Sequence, residues 1–245
     1  MPENYFRGRV AATYDARSAE MFEPDILDPA VSFLAALAGS GDALEFAVGT
    51  GRVALPLSQR GVRVRGIELS PDMVEQLRAK SGAEAVDVTI GDIANTRVSG
   101  TFNLVYLVWN TITNLLTQDA QVQCFQNAAD HLGPGGSFVI EVYVPELRRL
   151  PPGERFHTFD ATATHVGIEE YDTATQIAYS HHYFLDDGQM EFSSAPYRYV
   201  WPSELDLMAR LAGMSLRERW STWHRDPFTH ESRRHISVWE MPSSH

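Results

Sequence analysis

The chain has 245 residues, 44% of them hydrophobic, and its 32 acidic and 20 basic side chains leave a formal net charge of −12. That length suits one globular domain carrying an inserted piece. The single cysteine, Cys124, excludes an internal disulfide framework, the charge disfavours nucleic acid, and no stretch approaches the roughly 18 apolar residues of a membrane helix.

In chain order, the opening "MPENYFRGRVAATYDARSAEMFEPD" mixes charge signs and lacks the apolar run of a secretory signal, which predicts a cytoplasmic protein. Residues 25–39 predict a helix with Ile26, Phe33, Leu34 and Leu37 on one face and Gly39 as its stop. A buried strand over 43–48 runs into two glycines and then a helix through Val53, Ala54 and Leu57. A strand within 62–69 leads into a helix at "SPDM", with Ser70 as N-cap and Pro71 as first helical residue. Strands over 86–90, 102–109 and 137–144 and a helix over 118–131 continue the alternation, which argues for a mostly parallel sheet covered on both faces.

The rhythm breaks over 154–200, where "TQIAYSHHYFL" alternates with period two before the turn "DDGQ". This reads as an inserted antiparallel β element. Residues 201–213 then predict a serine-capped helix ended by glycine, followed by strands over 214–221 and 234–240. The chain therefore divides into 1–153, an N-terminal lid segment and cofactor core; 154–200, the β insert; and 201–245, which completes the core.

Gly49, Gly51 and Ala54 spell G-x-G-x-x-A, and Glu68 stands 19 residues beyond Gly49. Glycines let backbone approach a ligand, and a carboxylate at the end of the second strand accepts two ribose hydroxyls. By itself this turn suits a nicotinamide dinucleotide as well as an S-adenosyl cofactor. Three further features arbitrate. "ExxxGTG" puts Glu45 on the first strand, where a dinucleotide-binding strand is normally apolar. "IGD" ends the third strand with Asp92, and "HLGPGGSFVIEV" turns into the fifth.

Together with the two closing strands, these motifs resemble the class I S-adenosylmethionine-dependent methyltransferases over most of the chain. The resemblance implies a Rossmann-like α/β fold: a seven-stranded, mostly parallel sheet with an antiparallel C-terminal hairpin. It also implies a cofactor site at Tyr14, Glu45, Ala47, Gly49, Thr50, Gly51, Glu68, Leu69, Met73, Asp92 and Ile93. Glu45 would help position the cofactor's cationic methionine end, Tyr14 would cover its methionine part, Asp92 would accept from the adenine amino group, and Met73 would pack on the adenine. Ala47 departs from the family, standing where the first glycine is usual. A nicotinamide-dependent oxidoreductase and a non-catalytic S-adenosylmethionine-binding module remain as rival readings.

Methyl transfer from a sulfonium is an in-line displacement that demands alignment and exclusion of water, and a general base where the nucleophile is a hydroxyl. The carboxyl ends of the strands select Trp109 and Tyr143 as walls of the acceptor pocket and Asn110 as an orienting amide. In the insert, alternation places Ile177, Tyr179, His181 and Tyr183 on one face and Gln176, Ser180 and His182 on the other. The aromatic face is expected over the cofactor, which makes His181 the candidate base, with His157 and His165 as further options. Tyr179 and Arg198 join the candidate cavity wall, with Tyr199 and Trp201 beside them. Family inserts at this place cover small-molecule acceptors, including sugars and natural products. The absence of an Asn/Asp-Pro-Pro-Tyr/Phe signature in "VWNTITN" disfavours nucleobase and glutamine substrates. The expected partners are a small acceptor, methylated on oxygen or nitrogen, and a second copy of the chain in a homodimer; no metal is expected.

Overall fold

A computed structural model describes residues 4–186 and 188–243. The sequence's alternation becomes α1 (Arg9–Arg17), α2 (Pro24–Ala38), β1 (Ala43–Phe46), α3 (Ala54–Gln59), β2 (Val64–Glu68), α4 (Pro71–Arg78), β3 (Asp87–Ile90), β4 (Phe102–Leu107), α5 (Gln118–His131) and β5 (Leu132–Tyr143). After an insert come α6 (Pro202–Leu211), β10 (Ser215–Trp220) and β11 (Arg234–Glu240). These form a seven-stranded sheet in the order β10-β11-β5-β4-β1-β2-β3. β1 pairs in parallel with both β2 and β4, whereas β11 runs antiparallel to β5 and to β10. Chain winding reverses between β1 and β4, so a crevice opens beyond their carboxyl ends.

All four residues of β1 are buried, as a central strand covered on both faces requires. One apolar layer joins Leu44, Phe46, Phe138 and Trp239 to α5 and α6 through Phe125 and Met208. The other joins Leu104, Tyr106 and Val139 to α2 and α3 through Val31, Leu34 and Leu57. One of the four residues expected on one face of α2 departs from it: Ile26 is 49% exposed, whereas Leu37, half-buried, packs against the core that Phe33 and Leu34 share with Val31 and Ala38. Ser70 caps α4 as expected, its Oγ accepting from Met73 N at 3.4 Å. α6 begins at Pro202 after Trp201, so Ser203 falls inside the first turn and is not the cap.

The insert is a second sheet, an antiparallel meander of β6 (Phe156–Ala161), β7 (His165–Asp172), β8 (Ile177–Asp186) and β9 (Gln189–Arg198). Of the "DDGQ" turn, residue 187 lies outside the described residues. At the root of the insert, the Arg198 guanidinium donates to Gln121 Oε1 (2.5 Å), Glu204 Oε1 (2.7 Å) and Gln176 Oε1 (3.1 Å), tying the sheet to α5 and α6. At its tip α1 makes contact: Arg9 and Arg17 pair with Glu191, and the Arg17 guanidinium sits 4.9 Å over the Phe184 ring. Among the described residues, no helix is long and apolar enough to cross a membrane.

Candidate active site

The turn after β1 carries the sharpest backbone demands in the crevice. Ala47, Gly49 and Gly51 lie at φ 54°, 57° and 81°, in the left-handed region. Gly51 also has no room: a Cβ there would lie 3.0 Å from Leu55 Cγ and from Leu77 Cγ. Gly49 and Ala47 expose their backbone to the crevice, whose lining also includes Glu68, Leu69 and Met73 from the end of β2 and α4, and Asp92 and Ile93 after β3. Glu68, 5% exposed, accepts from Gly49 N (2.8 Å) through one oxygen and from Ser70 N (2.9 Å) through the other. Burial pushes its carboxyl above the ordinary value, and those amides hold the rise back. Asp92 Oδ1 accepts from Ala94 N at 2.9 Å.

Tyr14 reaches the crevice from α1, its ring edge-on to Phe6 at 6.1 Å. The helix is fastened over the glycine turn by Asp15, which accepts from Thr50 Oγ1 at 2.6 Å and pairs with Lys80. Thr50 and Gly51 therefore support the turn from below, and neither lines the crevice. Glu45 does not line it either. At 3% exposure it lies within β1 and accepts from Tyr106 Oη at 3.0 Å. Burial raises its pKa to about 8, against the pull of that phenol and of Arg52.

Sequence reasoning missed several crevice residues: Phe6 before α1, Thr111, Asn114 and Leu115 after β4, and Pro196 of β9. It also missed Glu141, a second acid on a buried strand, where the signal used for Glu45 was equally present. Glu141 accepts from Trp109 N and from Trp223 Nε1, both at 3.2 Å, and lies 3.7 Å from Arg234. With Arg52, Trp109 and Arg234 it lines a second hollow between the ends of β4, β5 and β11.

Trp109 and Asn110 take consecutive left-handed conformations, φ 57° and 61°. Asn110 Oδ1 accepts from Tyr143 N at 2.7 Å, so its side chain braces the end of β5. Tyr143 meets Trp109 edge-on at 6.2 Å. Its phenol pKa is raised, chiefly by burial and further by Glu141, Glu20 and Glu169, with Arg234 opposing.

The insert touches the rest of the molecule with both faces: Pro196, which lines the crevice, is the register partner of Tyr179 and shares its face with Tyr179 and His181. The contacts from α1 fall on Phe184 and Glu191, which share a face with Ser180, His182 and Glu169. His181 lies on the opposite face, stacked on Tyr179 at 6.1 Å with Nε2 3.3 Å from Glu170, and Tyr179 is 42% exposed. Arg198, 5% exposed, is the brace at the insert's root and lines neither hollow.

A crevice at a sheet's switch point, floored by bare backbone and edged by a carboxylate, is that of an α/β enzyme using a nucleoside cofactor. A methyltransferase domain family matches residues 43–136. The structure of the CcbJ methyltransferase from Streptomyces caelestis is 36% identical, covers 91% of each chain and superposes with a TM-score of 0.80. The cypemycin N-terminal methyltransferase of a Streptomyces species is 27% identical over 208 residues, 80% of this chain and 82% of that one. The fold is shared with S-adenosylmethionine-bound CalS10, an amino pentose methyltransferase from Micromonospora echinaspora, at 19% identity, a TM-score of 0.67, and coverage of 98% of this chain and 99% of that one. The chain belongs to the class I S-adenosylmethionine-dependent methyltransferases. Of the two cofactors that the glycine turn admitted, S-adenosylmethionine is the right one.

Proposed function

We propose that the enzyme transfers a methyl group to the nitrogen of a small, natural-product-like amine in the cytoplasm. The observation that carries this reading is the aromatic pair Trp109 and Tyr143 at the strand ends, with the Glu141 carboxylate accepting from Trp109 N in a hollow that Arg52 and Arg234 also line. Aromatic faces and carboxylates suit a cationic amine, and a net charge of −12 adds long-range attraction. The likeness to the cypemycin N-terminal methyltransferase supports nitrogen as the acceptor atom.

The residues present fit the cofactor. A carboxylate has about four acceptor positions, so Glu68 keeps two for ribose hydroxyls after meeting two backbone amides. Leu69, Met73 and Ile93 form an apolar slot for a purine, with Asp92 as acceptor at its rim, and at the floor Gly49 carries no side chain and Ala47 only a methyl group. When bound, the cofactor supplies an electrophilic methyl group. The chain's own work is alignment and dryness: Tyr14 and Phe6 close over the crevice, the insert roofs it, and Trp109 and Tyr143 hold the amine in line.

The test begins with calorimetric titration of S-adenosylhomocysteine. We expect one-to-one binding that Glu68→Ala and Asp92→Ala each weaken at least tenfold in protein that circular dichroism shows to be folded; undiminished affinity in both removes the site. Release of S-adenosylhomocysteine is then followed with benzylamine, glucosamine and trialanine against catechol and glucose. Turnover of hydroxyl probes alone overturns the choice of nitrogen.

A further inference from the structure

Although the chain carries a net charge of −12, two guanidiniums, those of Arg52 and Arg234, line the second hollow together with one buried carboxylate, Glu141. Trp109 and Trp223 line it as well, and Asp25 and His224 stand exposed at its rim.

The acids nearby leave both guanidiniums largely unsatisfied. Arg234 lies 3.7 Å from Glu141 and, among the described residues, donates no hydrogen bond. Arg52 donates to Met21 O at 3.5 Å and sits 5.8 Å over the Trp109 ring, and among the described residues it is in ion-pair contact with no carboxylate. Glu141 is already engaged, one oxygen accepting from Trp109 N and the other from Trp223 Nε1. Glu45, whose carboxyl also feels Arg52, is pushed up to about 8 by burial and is largely protonated near pH 7 in the ligand-free enzyme. Most of the N–H donors of Arg52 and Arg234 are therefore unused by the protein, and a guanidinium fork matches a carboxylate.

The hollow adjoins the cofactor crevice. Arg52 directly follows the glycine turn, and its charge bears on Tyr14, which lines the crevice. After β4, Trp109 lines the hollow and Thr111 the crevice, so only the left-handed turn at Trp109 and Asn110 separates the two along the chain.

We propose that the second hollow is a subsite for a carboxylate borne by the acceptor. The substrate class is then an amine that also carries an acid, as amino acids and short peptides do, with its nitrogen at Trp109 and Tyr143 and its carboxylate between Arg52 and Arg234. The inference rests on the amine reading above and narrows it. No bond is made or broken at this subsite. An ion pair at one end of the acceptor fixes the reacting nitrogen at the other, and an amine without the acid leaves the two guanidiniums facing each other unpaired.

The test follows methyl transfer by the full chain to matched acids and amides: trialanine against trialaninamide, and 4-aminobutyrate against 4-aminobutyramide. Within each pair that turns over, we expect the acid to be preferred about thirtyfold in kcat/KM, mainly through KM. Arg234→Gln, a change to a half-exposed side chain at the start of β11, should cut that preference to about threefold, with the Kd of S-adenosylhomocysteine moved less than about twofold. Arg234→Lys keeps the charge without the fork and should fall between the two. Calorimetric titration of trialanine into the S-adenosylhomocysteine complex reads the subsite without turnover, and Arg234→Gln should weaken that binding by a similar factor. Equal use of acid and amide by the parent enzyme, or a preference that Arg234→Gln leaves intact, overturns the subsite while the choice of nitrogen stands. An equal loss of S-adenosylhomocysteine affinity in Arg234→Gln overturns it too, because the arginines would then serve the cofactor's own carboxylate. Absence of turnover with every amine overturns the underlying reading first.

Discussion

Ala47 is the residue at which this chain leaves its family's pattern, and its backbone shows what the departure does. At φ 54° an L side chain costs about 1–2 kcal/mol, a strain that glycine would not carry. Glycine returns about 0.4–1 kcal/mol of that gain as extra freedom of the unfolded chain. Ala47→Gly should therefore stabilise the protein by about 0.5–1 kcal/mol, read as a higher urea midpoint with an unchanged slope. A lower midpoint would mean that the methyl group makes packing contacts worth more than the strain. The neighbouring positions divide by role: Gly49 bares its backbone to the crevice, whereas Gly51 is small because Leu55 and Leu77 close in behind it.

Among the elements, the insert depends most on a single side chain. Arg198 reaches from β9 into a buried cluster of Gln121, Gln176 and Glu204. Arg198→Met would leave Glu204 with only its two glutamine donors, Gln118 and Gln176. Removing one partner of such a pair destabilises by about 3 kcal/mol. We expect a lower urea midpoint and early proteolytic cutting within residues 156–198; a cut pattern like the parent's would show that the cluster of Tyr171, Ala178 and Tyr199 holds the root alone. The order of strands and helices was legible because buried strands and amphipathic helices write their periods into the sequence. Which face of the insert α1 crosses was not, because alternation separates two faces without saying which one a neighbouring helix will meet. Arg17 and Glu191 settle that, 174 residues apart in sequence. The serine expected to cap α6 failed for a local reason: Pro202 fixes the first turn one residue earlier.

At the scale of the whole molecule, buried ionisable groups from several elements make stability a function of pH with two opposing limbs. Burial drops the pKa of His235 to about 3 and lowers those of His131 and His182. Their unfolded forms bind protons that the folded forms refuse, so stability is lost as pH falls below about 6.5. Burial raises Glu45 to about 8 and moves Glu68 and Glu141 upward as well. Those folded forms keep protons that unfolded carboxylates release above about 4.5, so stability falls as pH rises from there to about 8. The two windows overlap, and the ligand-free enzyme should melt highest near pH 6. Glu45→Gln keeps an acceptor for the Tyr106 hydroxyl but removes the largest carboxylate contribution, so its melting temperature should decline less between pH 6 and 8 by several degrees. S-adenosylhomocysteine carries an ammonium group, and an ionised Glu45 would favour it. Its affinity should therefore rise over the same interval in the parent and stay flat in Glu45→Gln. Differential scanning calorimetry with and without the ligand measures both effects at once. A parent melting curve that keeps rising to pH 8, or a variant that declines just as steeply, would mean that Glu45 is ionised in the folded protein before any ligand arrives.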